Sequence, residues 1–394
     1  TEVTFTDIDV DGGTAYLVND DGFEIWDVSD FQNPYMMSSV AFQYGNELFI
    51  GEDYAYVSAD HEGLRVIDIS DPSSPQLVGQ LSAYSWTPNF DMANGVGYVA
   101  NGAGLYTIDI SDPYGSAPEA MDNIPTMGQT NDVAIMDDLA FVADWTGGLR
   151  IIDITDPGNI SALTSVPIQA WKVAAGNGYV YAVEANPNVS DTLKIYNVSD
   201  PSSPVMTAML TLPESANDIE YQDGYVYIAL QDSGLRIYDV SDPDSPVEVS
   251  VVDLVWVRDV SVEGNMAYIA SADWEGGLVS VDISDPENPA IQQIYNPSGW
   301  FHPFNVGSSW PYAYASDIYG ELYVFDVSDP SNMIEMETLT LPGFILNILP
   351  QDEFIYVSDG QAGIQILENS LITGVSESSN PVSAASSVEA YPNP

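Results

Sequence analysis

Gly63-Leu64-Arg65-Val66-Ile67-Asp68-Ile69-Ser70-Asp71-Pro72 is the stretch that decides the fold. It reads as a short β-branched strand running into a turn, because Ser and Asp side chains bond nearby backbone N–H groups and Pro presets φ. The stretch recurs as Gly148-Leu-Arg-Ile-Ile-Asp153, Gly234-Leu-Arg-Ile-Tyr-Asp239 and Gly277-Leu-Val-Ser-Val-Asp282, and more loosely elsewhere. Its acidic or amide position falls at Asp27, Asp68, Asp109, Asp153, Asn197, Asp239, Asp282, Asp326 and Glu368, with gaps of 41 to 44 residues. Self-similarity at that period, with strand patterns inside it, predicts propeller blades.

Each unit supplies four strands. In the second unit they read as 46–50, 55–58, 64–69 and 76–81, separated by Gly, Asp, Asn and Pro. Strands such as Val66-Ile67 do not alternate cleanly, as expected where both sheet faces pack against neighbours. The expected fold is an all-β propeller of four-stranded antiparallel blades, nine-bladed over residues 1–368, with an eight-bladed ring as the alternative. The ninth unit lacks the Ser-Asp-Pro turn. Its fourth strand is expected either at Leu371–Val375 or from the N-terminus at Glu2–Phe5, which would latch the ring. Residues 369–387, rich in Ser, Asn and Ala, read as a linker, and 388–394 as the start of a C-terminal segment.

The unit resembles the LVIVD repeat of secreted and cell-surface bacterial proteins. The matching residues are 64–72 and their copies, with the strand Tyr54-Ala-Tyr-Val57 before them. The end, Tyr391-Pro-Asn-Pro394, is similar to the opening of a type IX secretion sorting domain. The resemblance implies an exported propeller at the cell surface or outside it. It brings no catalytic residues.

The chain carries 59 acidic residues against 6 basic ones, a net charge of −53. Such a surface repels nucleic acid and anionic lipid, so neither is an expected partner. It suits high salt, where screening removes self-repulsion, or cation binding. Without cysteine there are no disulfides, thiolate metal sites or Cys nucleophiles. No apolar run approaches the roughly 20 residues of a membrane span.

Counting nine residues back from the second-strand aromatic gives Asp7, Glu47, Asn89, Asp132, Lys172, Asp218, Asp259, Asn305 and Asn347. All are polar and begin the innermost strands, so they should ring the axis near one mouth. Like charges held close need pairing, protonation or a metal. Asp7, Glu47, Asp132, Asp218 and Asp259 are therefore the candidate calcium site, the alternative being a wide, wet channel.

Loops between strands two and three, and those leading into the next blade, open on one face. That face collects Tyr44, Trp86, Trp171, Trp256, Trp300, Phe301, His302, Phe304 and Phe344, with Arg258 among them. Tyr44, Trp86, Trp171, Trp256, Trp300, His302, Phe304 and Arg258 are the candidate ligand-binding residues. Aromatics beside carboxylates suit a glycan or a protein partner; the alternative is that they plug the mouth as core. Arg65, Arg150, Lys194 and Arg236 share one strand position and are expected to pair with charges in the adjoining blade, Arg258 with carboxylates at the mouth.

No nucleophile elbow, metalloprotease helix or P-loop occurs, and the two histidines, His61 and His302, lie in different units. The expected function is an exported, non-catalytic scaffold or binding module. The alternatives are a self-associating structural subunit and a hydrolase or lyase acting on polysaccharide.

Overall fold

The computed structural model describes residues 5–368 apart from short segments at 12, 20–21, 30–33, 42–47, 51–53, 60–62, 74, 82–88, 103, 112–118, 127, 187–189, 275, 298–300, 342, 352–353 and 360–362. Among the described residues the chain forms strands and turns, without helix. Nine antiparallel sheets are present, eight four-stranded and the last three-stranded, each with its strands in chain order. They agree in number with the nine repeats.

The sheets fall into two compact units. Residues 1–86 hold the sheets at 5–41 and 48–81. Residues 87–391 hold the other seven, at 89–125, 132–166, 170–211, 216–252, 257–295, 305–340 and 345–368.

In the second unit each sheet is sandwiched. Tyr227, Ala229, Leu235 and Ile237 of one sheet pack on Val260, Ala267, Ile269 and Val281 of the next. The second-strand aromatics Phe141, Tyr181, Tyr227, Tyr268 and Tyr314 are almost wholly buried. Burial of each such side chain stabilises by about 1.5–3 kcal/mol, which is why the aromatic recurs at one register.

This unit closes on itself. Phe354 and Tyr356 of the last sheet pack against Phe90, Val99, Ile108 and Ile110 of the first. Asn347 Nδ2 donates to Asn89 Oδ1 and, at 3.2 Å, to the Phe90 carbonyl. Among the described residues the sheets number nine, as the nine repeats predict, and within residues 87–391 the last sheet packs on the first. Both candidate latching segments lie outside the described residues, save Phe5, which begins the first strand of the 5–41 sheet.

Two recurring hydrogen-bond devices explain the Ser-Asp-Pro turn. First, the Asp side chain caps the turn: Ser29 N–H donates to Asp27 at 2.8 Å, Ser111 to Asp109 at 2.9 Å and Ser328 to Asp326 at 2.9 Å. The hydroxyls of the same serines, and after them these N–H groups, hold the three carboxyls below their ordinary pKa. Second, the Pro carbonyl accepts from a hydroxyl of the preceding sheet: Ser38 to Pro72 (2.6 Å), Thr107 to Pro157 (2.8 Å), Thr207 to Pro243 (3.0 Å), Ser250 to Pro286 (2.6 Å) and Ser280 to Pro330 (2.7 Å). The turn therefore fixes one blade to the next. Ser280 is fully buried, so Ser280→Ala should cost about 1–3 kcal/mol by stranding the Pro330 carbonyl, read from a denaturant melt. An unchanged midpoint would mean that packing alone aligns the blades.

Candidate functional site

The axis of the second unit is built by the first strands of its seven sheets. Each is an edge strand with N–H groups facing inward, and those groups need acceptors. The acidic positions supply them. Asp132 accepts from Val173 N–H at 2.8 Å, Asp218 from Val260 at 3.4 Å and Asp259 from Val306 at 2.8 Å. Two residues deeper, Asp91 accepts from Ile135 N–H at 2.8 Å, and Glu220 from Val262. In every case the acceptor belongs to one sheet and the donor to the next.

Lys172 is the cation of this ring. Its Nζ lies 3.2 Å from Asp218 Oδ1. Burial works against its charge, but Asp132, Asp218 and Asp259 more than offset that and hold its pKa above the ordinary lysine value. The carboxyls move the opposite way from those in the turns. Burial pushes Asp91 and Asp132 up to about 6, and Glu220 and Asp259 well above the usual carboxylate range. Among the described residues no group of three or more acidic or histidine side chains is arranged to hold a metal ion. Of the candidate calcium ligands, Asp132, Asp218 and Asp259 are brought to one ring and turned to backbone N–H groups. Glu47 and the side chain of Asp7 lie outside the described residues.

Four further cations are accounted for within their own sheets rather than across blades, or stand alone. Lys194 Nζ meets Glu184 at 2.8 Å, Arg236 Nη1 meets Glu248 at 2.8 Å, and Arg150 Nε lies 3.4 Å from Asp144. This corrects the expectation of charge partners in adjoining blades: cross-strand neighbours in one sheet are closer than residues a sheet away. Arg150 reaches the neighbouring sheet only through the Pro125 carbonyl. Arg258 differs from all of them, and from its expected pairing with carboxylates at the mouth. Among the described residues it makes no ion pair, and its Nε is buried without a hydrogen-bond partner. Its guanidinium carbon sits 4.8 Å from the Phe304 ring centre and 5.7 Å from that of Trp256, where cation–π attraction takes the place of a counter-ion.

A β-bulge puts Arg258 there. Pairing skips from Val257 to Asp259, so Arg258 is the extra residue at the start of its strand. The same bulge places Trp171, Asn217 and Leu346 at the start of theirs. Asn217 Nδ2 donates to the Val257 carbonyl at 2.7 Å, joining its bulge to that of Arg258. Trp256 has φ of +54°, a left-handed conformation unfavourable for a bulky residue. Its ring is 47 % exposed, and Phe304 is 38 % exposed.

Other aromatics stand on the same loops. Trp274, 64 % exposed, meets His302 edge-on at 5.5 Å, and His302 Nδ1 lies 2.9 Å from the Ala272 carbonyl. Trp145 meets Trp171 edge-on at 5.3 Å. Thr146, next in the chain to Trp145, lines an open recess of about 520 Å³ with Gln169, Glu184 and Asn186. Phe344 is exposed, whereas Phe301 is core, packed on Tyr323 at 4.8 Å. Tyr44, Trp86 and Trp300 lie outside the described residues. Trp145 and Trp274 belong to the Asp-Trp pairs that the sequence places in the loops between strands two and three of this face; Asn217 was not among the sequence candidates.

The repeat model described as "LVIVD repeat" matches residues 5–41, 44–82, 97–126, 127–166, 213–254, 256–297 and 309–340, well over half of the chain. The chain belongs to the LVIVD repeat family. Two repeats of this LVIVD chain, over the sheets at 170–211 and 345–368, carry the same fold outside the matched segments. Among curated proteins nothing matches. Among solved structures, BamB from Moraxella catarrhalis is similar over 81 % of this chain and 95 % of that one, at 12 % identity and TM-score 0.53. That likeness shows a shared propeller fold. The computationally designed Ika8 protein aligns over 93 % of this chain and 97 % of its own, at 10 % identity and TM-score 0.40.

Proposed function

We propose that this LVIVD propeller is an exported, non-catalytic binding module that holds a glycan on the loop face of its seven-sheet unit, with the segment after residue 368 as its tether to a cell surface. The observation that carries this reading is Arg258, a cation without an ion pair among the described residues, beside the half-exposed Trp256 and Phe304 in a chain of net charge −53. Sugar rings present flat C–H faces to aromatics and hydroxyls to nearby amides. The bulge residues Trp171 and Asn217 and the loop residues Trp256, Phe304 and Trp274 offer both. Binding rather than turnover fits the axial carboxylates, whose oxygens are turned to backbone N–H groups and Lys172.

The test is calorimetric titration with a panel of soluble neutral and acidic polysaccharides. Trp256→Gly removes the ring and relieves the left-handed strain, so it should fold at least as stably as wild type and bind its glycan about tenfold more weakly. Phe304→Ala should weaken binding similarly. Absence of binding across the panel, or wild-type affinity in both variants, overturns the reading.

A second reading, self-association, is favoured by one specific observation. The outer strands of four consecutive sheets expose apolar side chains, among them Val205 and Met209, Val247 and Val251, Ile291 and Ile294, Ile334 and Met336. Light scattering of the purified protein separates a monomeric binder from an assembling subunit.

A further inference from the structure

We propose that the ligand is a carboxylate-bearing sugar chain, a uronate oligosaccharide, and that Arg258 is the residue that reads its carboxylate. The inference rests on the glycan-binding reading and adds the chemical class.

Arg258 has the geometry of an anion receptor left open. Among the described residues Arg150, Lys172, Lys194 and Arg236 each have a carboxylate within 2.8 to 3.4 Å. Arg258 has none, in a chain with almost ten acidic residues for every basic one. This arginine is carried by a bulge to the mouth and lies beside the rings of Trp256 and Phe304. Its Nε is buried without a hydrogen-bond partner, a state that costs about 1–3 kcal/mol.

The partner that fits a planar guanidinium fork is a planar pair of oxygens, accepting two parallel N–H bonds. A carboxylate presents that pair. Trp256 and Phe304, both exposed beside it, fit the apolar faces of the sugar that bears it. The charge of the whole chain selects further. At physiological ionic strength repulsion reaches about 8 Å, so a densely charged polymer such as nucleic acid or polyphosphate is disfavoured. A sugar chain with one carboxylate per residue carries its charges further apart, and one of them meets Arg258 directly. Asn217, joined to the Val257 carbonyl beside the arginine, is the nearest bulge amide in the neighbouring sheet.

The probes are oligogalacturonate, oligomannuronate and oligoglucuronate, each paired with its full methyl ester. The ester keeps the sugar body and removes only the charge. Wild type should bind at least one acid form about tenfold or more tighter than its ester. Arg258→Gln should abolish that preference while retaining the weaker binding of the ester. Arg258→Lys keeps the charge without the fork and should recover only part of the preference. It also serves if the glutamine variant, checked by near-UV circular dichroism, fails to fold. Equal affinity for acid and ester overturns the inference and leaves the glycan reading standing. So does acid preference that survives Arg258→Gln, since another group would then read the charge. Binding to no saccharide overturns both. Arg258-dependent binding of a peptide C-terminal carboxylate, with no uronate bound, overturns the sugar class and points to a protein partner.

Discussion

Lys172→Met is expected to destabilise the protein by about 3–5 kcal/mol at pH 7.5 and by far less at pH 5. The lysine is the cation of an axial ring that also holds Asp132, Asp218 and Asp259, and its Nζ lies 3.2 Å from Asp218. Removing one partner of a buried cluster leaves the others uncompensated, which costs more than the cluster was worth. At lower pH the remaining carboxyls take up protons instead, because burial already pushes Asp132 to about 6 and Asp259 well above the usual range. The comparison is urea denaturation of both proteins at the two pH values. An equal loss at both would trace the effect to packing rather than charge. No loss at either would mean that water, not protein, solvates the ring.

The second large effect is in the wild-type pH profile. The melting temperature should rise as pH falls from 8 to about 5, then drop below about 4. Asp91 and Asp132 have ordinary values of 3.8 when unfolded and about 6 when folded. The folded state therefore binds their protons more tightly. Their contribution is fully present below 3.8 and is lost as pH rises through 6; for Asp132, which is 2 % exposed, the loss is about 3 kcal/mol. The turn carboxyls Asp27, Asp109, Asp153, Asp282 and Asp326 shift the other way, because Ser or Thr donors hold them below 3.8. Their contribution is present above 3.8 and is lost as pH falls through their folded values. The two sets bracket a maximum between about pH 4 and 6. Asp132→Asn should flatten the decline above pH 5. A wild-type melting temperature that climbs steadily to pH 8 would contradict the buried ring.

The repeat register made most of the fold legible. Tyr98, Phe141 and Tyr181 stand at the same place in their units because each fills the gap between two sheets, and that demand repeats with the blades. Ring closure was not legible. The Phe354–Phe90 packing that joins the last sheet to the first depends on the accumulated angle between sheets, to which no single residue testifies. The axial positions were reached by counting. Like-charge spacing suggested a metal site there; in the structure Asp132 and Asp259 accept from N–H groups of the next sheet. A sequence lists acceptors without showing which edge donors they must satisfy.

For the site, the sequence marked Arg258, Trp256 and Phe304, and the structure brings these three together. What it could not display is that Arg258, although followed in sequence by Asp259, has no counter-ion among the described residues. The bulges that present Trp171, Asn217 and Arg258 were hidden too. A bulge is an extra residue in a pairing register, visible only once both strands are placed.

The loop face as the place of binding is tested most directly by hydrogen exchange of the full chain, with and without whichever panel glycan binds. Protection is predicted at residues 254–259 and 301–306, with the Ser-Asp-Pro turns unchanged. Protection confined to those turns, or to the outer strands at 205–211 and 247–252, would place the ligand elsewhere and contradict the account.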